Sequence, residues 1–187
     1  RWESEYNEVK QKIYVPIIET IRIDGGVVRN LAYHERRLND TRTHFWPEST
    51  GLQFDPIFAP DSRKRQTQIA YIYGRCGIEE VTCTPYILRP RPFTGIDIGN
   101  DIGYTYKSAD REALNQLFAQ RGSCDDILIV RQRLLTDTSI ANIALFDGKR
   151  WYTPQHPLLK GTKRAELLDK GILTEKNIRM EDLPSYS

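Results

Sequence analysis

One methionine, three histidines and three cysteines are all this sequence has of the softer metal-binding and redox side chains. Cys76, Cys83 and Cys124 are odd in number and lack the short paired spacing of a zinc ribbon or redox motif. That predicts free thiols in a reducing compartment. His34, His44 and His156 fall on a helical pattern, at that helix's end and in a proline-flanked loop, so they make no recognisable ligand set and no metal is expected. No apolar run approaches the roughly 20 residues of a membrane span, and the first residues are charged rather than signal-like. A cytoplasmic protein without a membrane partner is the expectation. An excess of one charge is also missing, since 27 Lys and Arg face 25 Asp and Glu. Nucleic acid is therefore not expected as a partner, because backbone binding needs basic residues clustered on one face. The basic cluster Arg63, Lys64, Arg65 reads as a solvated loop. There is no internal repeat, and "GRCG" (Gly74 to Gly77) has neither the spacing nor the following helix of a phosphate loop.

What remains is an ordinary apolar and charged content over 187 residues, enough for one or two small domains with a real core. Ile13 to Ile23 reads as a strand rich in β-branched residues, turned by Asp24, Gly25 and Gly26 into Val27 and Val28 as a tight hairpin would be. Leu31 to Trp46 lacks Gly and Pro, sets Leu31, His34, Leu38, Phe45 and Trp46 roughly along one face, and is stopped by Pro47, which predicts a helix. Ser49 to Arg65 is turn-rich. Gln68 to Tyr73 and Ile78 to Leu88 look like paired strands. The Pro- and Gly-rich stretch Arg89 to Asp101 suits a linker, which predicts a lobe over residues 1–98, with a polar extension 1–12, and a second lobe over 99–187.

The second lobe is expected to run strand (Ile102 to Lys107), helix (Ala109 to Gln120, ended by Gly122), strand (Ile127 to Val130) and strand (Ser139 to Phe146). A turn at Asp147 to Lys149 then leads to Trp151 and Tyr152. After Pro154 and Pro157, Leu158 to Gly171 reads as a loop entering a short helix that starts near Gly161 and Thr162 and ends at Gly171. The fold class is α+β. A lysine at a strand end, a carboxylate within a second strand pattern and a later Gly-Thr helix start are the parts needed to hold an aldehyde cofactor that carries a phosphate. Taken singly, Lys107 is a solvated lysine and Asp137 a turn aspartate; only the ordered set changes that reading.

Five segments carry a resemblance: "ETIRIDGG" (Glu19 to Gly26), "YHERRL" (Tyr33 to Leu38), "YKSADR" (Tyr106 to Arg111), "LLTDTSIANIALFDGKRWYTP" (Leu134 to Pro154) and "LLKGTKR" (Leu158 to Arg164). In this order they resemble the motifs of the class IV aminotransferase family, the fold-type IV pyridoxal phosphate enzymes that include branched-chain and D-amino-acid aminotransferases and aminodeoxychorismate lyase. The resemblance implies a two-lobed enzyme with a small N-terminal α/β sandwich lobe and a larger, here shortened, C-terminal β-rich lobe. It implies pyridoxal 5'-phosphate as cofactor, an amino-acid-like small molecule as substrate, and a homodimer.

Residue by residue, Lys107 matches the family's Schiff-base lysine, the amine that would hold the cofactor and later shuttle protons. Asp137 stands where the family commonly has Glu, beside the pyridine nitrogen, with one methylene less reach. Arg37 matches the phosphate-binding arginine, whereas Arg36 lies on another helical face and is expected in solvent. The second phosphate contact would come from backbone N–H groups after Gly161, at Thr162 and Lys163. Asn142 matches a residue that helps order the cofactor or serves a structural role, and His34 matches a helix histidine of packing or hydrogen-bonding character.

Both elimination and transamination start by removing a substrate α-proton, with Lys107 as the base, so the reaction stays open at this level. The spacing Lys107-x-x-x-Arg111 is similar to that in some aminodeoxychorismate lyases, which release pyruvate and leave p-aminobenzoate, and tilts the expectation that way. An aminotransferase is the alternative, and a non-catalytic family member with a binding or structural role is a third. Relative to the family pattern the chain starts with a polar stretch, Arg1 to Lys12, and stops soon after "IRMEDL" (Ile178 to Leu183), which suggests a short form. A missing sheet edge would favour a second chain or a further ordered tail.

Overall fold

Ten strands and three α-helices occur among the described residues of the computed structural model, which are 16–54, 66–87, 94–99 and 102–186. The chain divides into two compact units, Arg1–Ile87 with Tyr106–Asp110, and Leu88–Thr105 with Arg111–Ser187. The mixture of antiparallel sheet, parallel pairs and few helices is α+β.

In the first unit β1 (Ile17–Asp24), β2 (Val27–Val28), β3 (Thr67–Gly74) and β4 (Gly77–Pro85) form one antiparallel sheet in the order β2-β1-β3-β4. The β1–β2 hairpin closes on Gly25 and Gly26, whose φ angles of 58° and 80° suit the tight turn that joins right-twisted strands. Side chains along β1 alternate strictly, placing Ile17, Glu19, Ile21 and Ile23 in the interior. Helix α1 (Leu31–Phe45) buries His34, Leu38, Thr41 and Arg42, the spacing of a single helical stripe. It ends where Trp46 N donates to Arg42 O and Pro47 follows. Ile17, Ile21, Ile23, Leu38, Phe54, Ile69, Tyr71 and Tyr73 make the core, and each large aliphatic buried there contributes about 1.5–3 kcal/mol.

The second unit has two three-stranded sheets, β5-β6-β7 and β10-β9-β8. β5 (Thr94–Ile98), α2 (Glu112–Ala119) and β6 (Asp126–Arg131) form a strand-helix-strand unit in which β5 and β6 run parallel, and β7 (Leu134–Thr138) pairs antiparallel to β6. β6 is buried on both faces, so its alternate residues feed two cores. Ile127 and Ile129 pack with Ile102, Tyr104, Leu114 and Leu158, while Leu128 and Val130 pack with Leu135 and Ile178. β8 (Leu145–Phe146), β9 (Trp151–Pro154), α3 (Thr162–Asp169), β10 (Leu173–Lys176) and a 3-10 turn at Met180–Ser185 complete the unit. Gly171, at φ 65°, ends α3 as expected.

Four sequence expectations need correction. Ile102 to Lys107 is not a strand: residues 102–107 lie outside any strand, and only Ser108 makes an isolated bridge to Ile17. Ser139 to Phe146 is a strand only at Leu145–Phe146, because Thr138 turns the chain, its N donating to Ala141 O at 2.8 Å and its hydroxyl accepting Ala141 N at 3.1 Å. The helix expected from Ala109 begins at Glu112, and Ala109 instead bonds Pro16 O through its amide. The stretch Arg89 to Asp101, read as a linker, holds β5. Arg1 to Val15, which includes the polar extension, and the basic cluster Arg63–Arg65 lie outside the described residues. No described helix is long and apolar enough to cross a membrane.

Candidate active site

Glu19 has no exposed surface, although it stands in an isoleucine row. Period-2 alternation on β1 fixes its inward direction, and the 3.6-residue period of α1 sets His34 and Arg37 one turn apart on the facing side. Arg37 Nε donates to Glu19 Oε1 at 2.7 Å and Arg37 Nη2 to Oε2 at 2.6 Å. His34 Nδ1 lies 2.6 Å from the same Oε2. Burial by itself would raise the carboxyl, but the hydrogen bonds and charges of His34 and Arg37 outweigh it and hold Glu19 below the ordinary glutamate range. On β3, burial first and Glu19 second push the Tyr73 hydroxyl above its usual value. Arg36 is exposed and lies over the Tyr33 ring at 5.3 Å, as expected of the other helical face.

Lys107 is anchored through its backbone, its carbonyl accepting the Ile18 N–H at 2.9 Å beside the Ile17–Ser108 bridge. Lys107 is thereby fixed next to β1, two residues before the Ala109 amide reaches Pro16 O at 2.8 Å. Tyr106 stacks on His44 with centroids 4.6 Å apart and meets Phe45 edge-on, which holds the residue before the lysine against the end of α1.

In the second unit Asp137, on β7, is 4 % exposed. Its Oδ1 accepts Asn142 Nδ2 at 2.7 Å and its Oδ2 accepts the Leu159 amide at 2.9 Å. Asn142 reaches further into the same loop, donating to Leu159 O at 2.7 Å and accepting Gly161 N at 3.1 Å through Oδ1. These bonds fix the orientation of the amide, since its nitrogen meets acceptors and its oxygen meets a donor. Burial pushes Asp137 up to about 6, against the pull of the hydrogen bonds from Leu159, Asn142 and Leu158 and the charge of Arg164. Gly161 precedes α3 and offers no capping side chain. The first helical bond runs from Ala165 N to Gly161 O, so the amides of Thr162 and Lys163 belong to the open end of the helix, where an anion is favoured. The Lys163 side chain is largely exposed and pairs with Glu166 at 2.7 Å, which leaves its backbone as its part in that helix end.

The second unit thus unites Asp137, Asn142 and Gly161 in one hydrogen-bonded cluster leading into Thr162 and Lys163, while the first holds Arg37 and Lys107. Glu19 stands in a recognised motif, but the sequence alone gives its buried carboxylate no partner. The signal was a carboxylate in phase with buried isoleucines, opposite a helix carrying His and Arg three residues apart. Arg111, singled out by its spacing from Lys107, is half-buried, and its Nη2 donates to Ser139 O at 2.7 Å with Tyr104 alongside. Among the described residues no three His, Cys, Asp or Glu side chains gather to hold a metal, and Cys76, Cys83 and Cys124 are free.

Comparison with known proteins bears on the family. Residues 105–187 match the family model for amino-transferase class IV, a range that contains Lys107, Asp137, Asn142 and the start of α3. An uncharacterized protein of Haemophilus influenzae is 35 % identical over 178 residues, covering 91 % of this chain and 93 % of its own. A crystal structure from Haemophilus somnus 129PT, named as that of a putative 4-amino-4-deoxychorismate lyase, is 32 % identical with a TM-score of 0.85, and each chain covers 92 % of the other. A Schizosaccharomyces pombe protein named putative aminodeoxychorismate lyase is 35 % identical over 79 residues, which span 36 % of this chain and 34 % of that protein. With the motifs in family order and these matches across most of its length, the chain belongs to the class IV aminotransferase family.

Proposed function

We propose that the chain is a pyridoxal phosphate-dependent enzyme acting on an amino-acid-like substrate, of the lyase type that converts aminodeoxychorismate to p-aminobenzoate and pyruvate. The observation that carries the cofactor reading is the Asp137–Asn142–Gly161 cluster, in which a buried carboxylate and a helix start share one hydrogen-bond network. Each unit carries donors of the kind the group would need: the second an acid for the ring nitrogen and a helix end for the phosphate, the first a guanidinium for the phosphate and an amine for the aldehyde. When bound, the cofactor supplies an electron sink for charge developing at the substrate α-carbon.

The chain's own residues do the rest. Asp137 would hold the proton on the ring nitrogen, for which Asn142 and the Leu159 amide fix its two oxygens. Arg37 and the amides of Thr162 and Lys163 would hold the phosphate. Lys107 would carry the aldehyde and then accept the α-proton at Nζ, its backbone kept in place by the bond to Ile18. The names of the Haemophilus somnus and fission yeast relatives favour the lyase. Arg111 adds nothing to that preference, because its guanidinium is engaged with Ser139 O and Tyr104. A cytoplasmic homodimer, with neither nucleic acid nor membrane as partner, completes the proposal; the free cysteines support a reducing compartment, the balanced charge speaks against nucleic acid, and the dimer rests on the family resemblance.

Reconstitution tests it. The folded protein with pyridoxal phosphate should gain a visible absorbance band that Lys107→Ala lacks; a folded protein without the band overturns the cofactor reading. Release of pyruvate and p-aminobenzoate from aminodeoxychorismate supports the lyase, whereas amino transfer from D- or L-amino acids to a keto acid, without that release, makes the chain an aminotransferase. A bound cofactor with neither reaction points to a binding role.

A further inference from the structure

We propose that Glu19 is a positioning residue for phosphate recognition, locking the Arg37 guanidinium so that Arg37 touches the cofactor phosphate in one fixed orientation. This rests on the pyridoxal phosphate reading above. The β1 row Ile17, Glu19, Ile21, Ile23 is interior throughout, and an aliphatic residue at position 19 would complete it without taking a carboxylate out of water. The carboxylate is instead present, with both oxygens engaged on α1.

The pairing is side-on. Arg37 uses Nε and one N–H of Nη2 on Glu19, so the other N–H groups of its planar fork are directed away from that carboxylate. The Glu19 side chain is 0 % exposed and the Arg37 side chain 15 %, which puts the arginine on the outer side of the pair. A long arginine side chain has several rotors, and a two-point contact near its end restrains them before a ligand arrives. His34, at 2.6 Å from Oε2, restrains the carboxylate in turn. A counter-ion alone would weaken phosphate binding by neutralising Arg37; a positioning residue strengthens it. The two roles therefore predict opposite effects of removing the charge.

The experiment measures, on the full chain freed of cofactor, the affinities for pyridoxal phosphate and for pyridoxal, which lacks the phosphate. Both carry the aldehyde, so the ratio isolates the phosphate. Wild type should prefer the phosphate ester, and Glu19→Gln should shrink that preference by about tenfold or more while affinity for pyridoxal stays near wild type. In an Arg37→Lys background the same Glu19 change should have little further effect on the ratio, because its action runs through Arg37. If Glu19→Gln does not fold, Glu19→Asp, which keeps the charge and withdraws it by one methylene, should shrink the ratio in a folded protein. A preserved or enlarged ratio in the folded variant overturns the positioning role and leaves the cofactor reading standing. A wild type with no preference for the phosphate ester overturns both the role of Arg37 and the inference. Equal loss of affinity for the two ligands assigns Glu19 to folding alone.

Discussion

Asn142 Oδ1 accepts the Gly161 amide at 3.1 Å and fills the space that a β-carbon on residue 161 would need. The backbone of Gly161, at φ −69° and ψ 146°, is open to any residue, so the requirement for glycine is one of close approach rather than of conformational freedom. Gly161→Ala should cost about 1–3 kcal/mol of stability through overpacking. Asn142→Ala should also destabilise, by leaving the Gly161 amide, the Leu159 carbonyl and Asp137 short of partners. Combined, the two should cost clearly less than their sum, since removing the Asn142 side chain removes the collision. Urea denaturation of the four proteins measures it, and additive losses would show that the two residues do not meet.

Arg42 gives a second test of stability. It is 3 % exposed and serves three carbonyls: Nη1 bonds Gly74 O, and Nη2 reaches Thr50 O and Arg75 O, each at 3.3 Å. It therefore ties α1 to the Arg75–Cys76 turn between β3 and β4. Arg42→Ala should cost about 2–4 kcal/mol, because the buried Gly74 carbonyl loses its donor and α1 loses its links to Thr50 and Arg75. Arg42→Lys should recover only part, as one ammonium cannot span the positions that a planar fork reaches. Midpoints in urea would check both, and a full recovery by lysine would contradict the role of the fork.

The local chemistry of the chain made much of this fold legible. The Gly25–Gly26 turn, the Pro47 stop of α1 and the Gly171 end of α3 depend on residues whose backbone preferences act in place. Tertiary partners decided the rest. β5 sits in a segment whose prolines and glycines argue for a loop, and it is a strand because residues 94–98 pair in parallel with Asp126–Val130. Ser139 to Phe146 reads as a strand in sequence, but the Thr138 hydroxyl accepts the Ala141 amide and turns the chain first. β10 and the 3-10 turn are too short to show a period.

The candidate residues were read from motif order, which says which residue types stand where but not what already holds them. Asp137 shows the difference: its sequence position suggested a partner for a ring nitrogen, and its burial and the bonds to Asn142 and Leu159 emerge only when the 158–161 loop folds back on β7. Glu19 was visible in a motif yet carried no role, since seeing one requires β1 and α1 to be faced together.

The two buried acids should respond to pH in opposite senses. Glu19 is held below its ordinary value of 4.5 by His34 and Arg37 in spite of burial. Its contribution to stability is complete above that value and is lost as pH falls through the lower folded value. Stability of the cofactor-free protein should therefore drop on the acid side, and Glu19→Gln should flatten that limb. An acid limb unchanged by the substitution would assign acid sensitivity to other groups.

Asp137 runs the other way. Its folded value is raised from 3.8 to about 6, so between these values the folded state keeps a proton that the unfolded chain has released. Its contribution favours folding below about 4 and is lost as pH rises to about 6, by roughly 3 kcal/mol across the interval. The slope is the useful quantity, because Asp137→Asn also turns an amide against one of the donors and shifts the absolute level. Cofactor-free wild type should lose more stability than Asp137→Asn between pH 4 and 6, and the two should run parallel above pH 7. Pyridoxal phosphate, whose protonated ring favours the ionised acid, should bind wild type more tightly as pH rises through about 6, and that rise should vanish in Asp137→Asn. Equal slopes in the two proteins, with equal pH profiles of binding, would remove Asp137 from the role of ring partner.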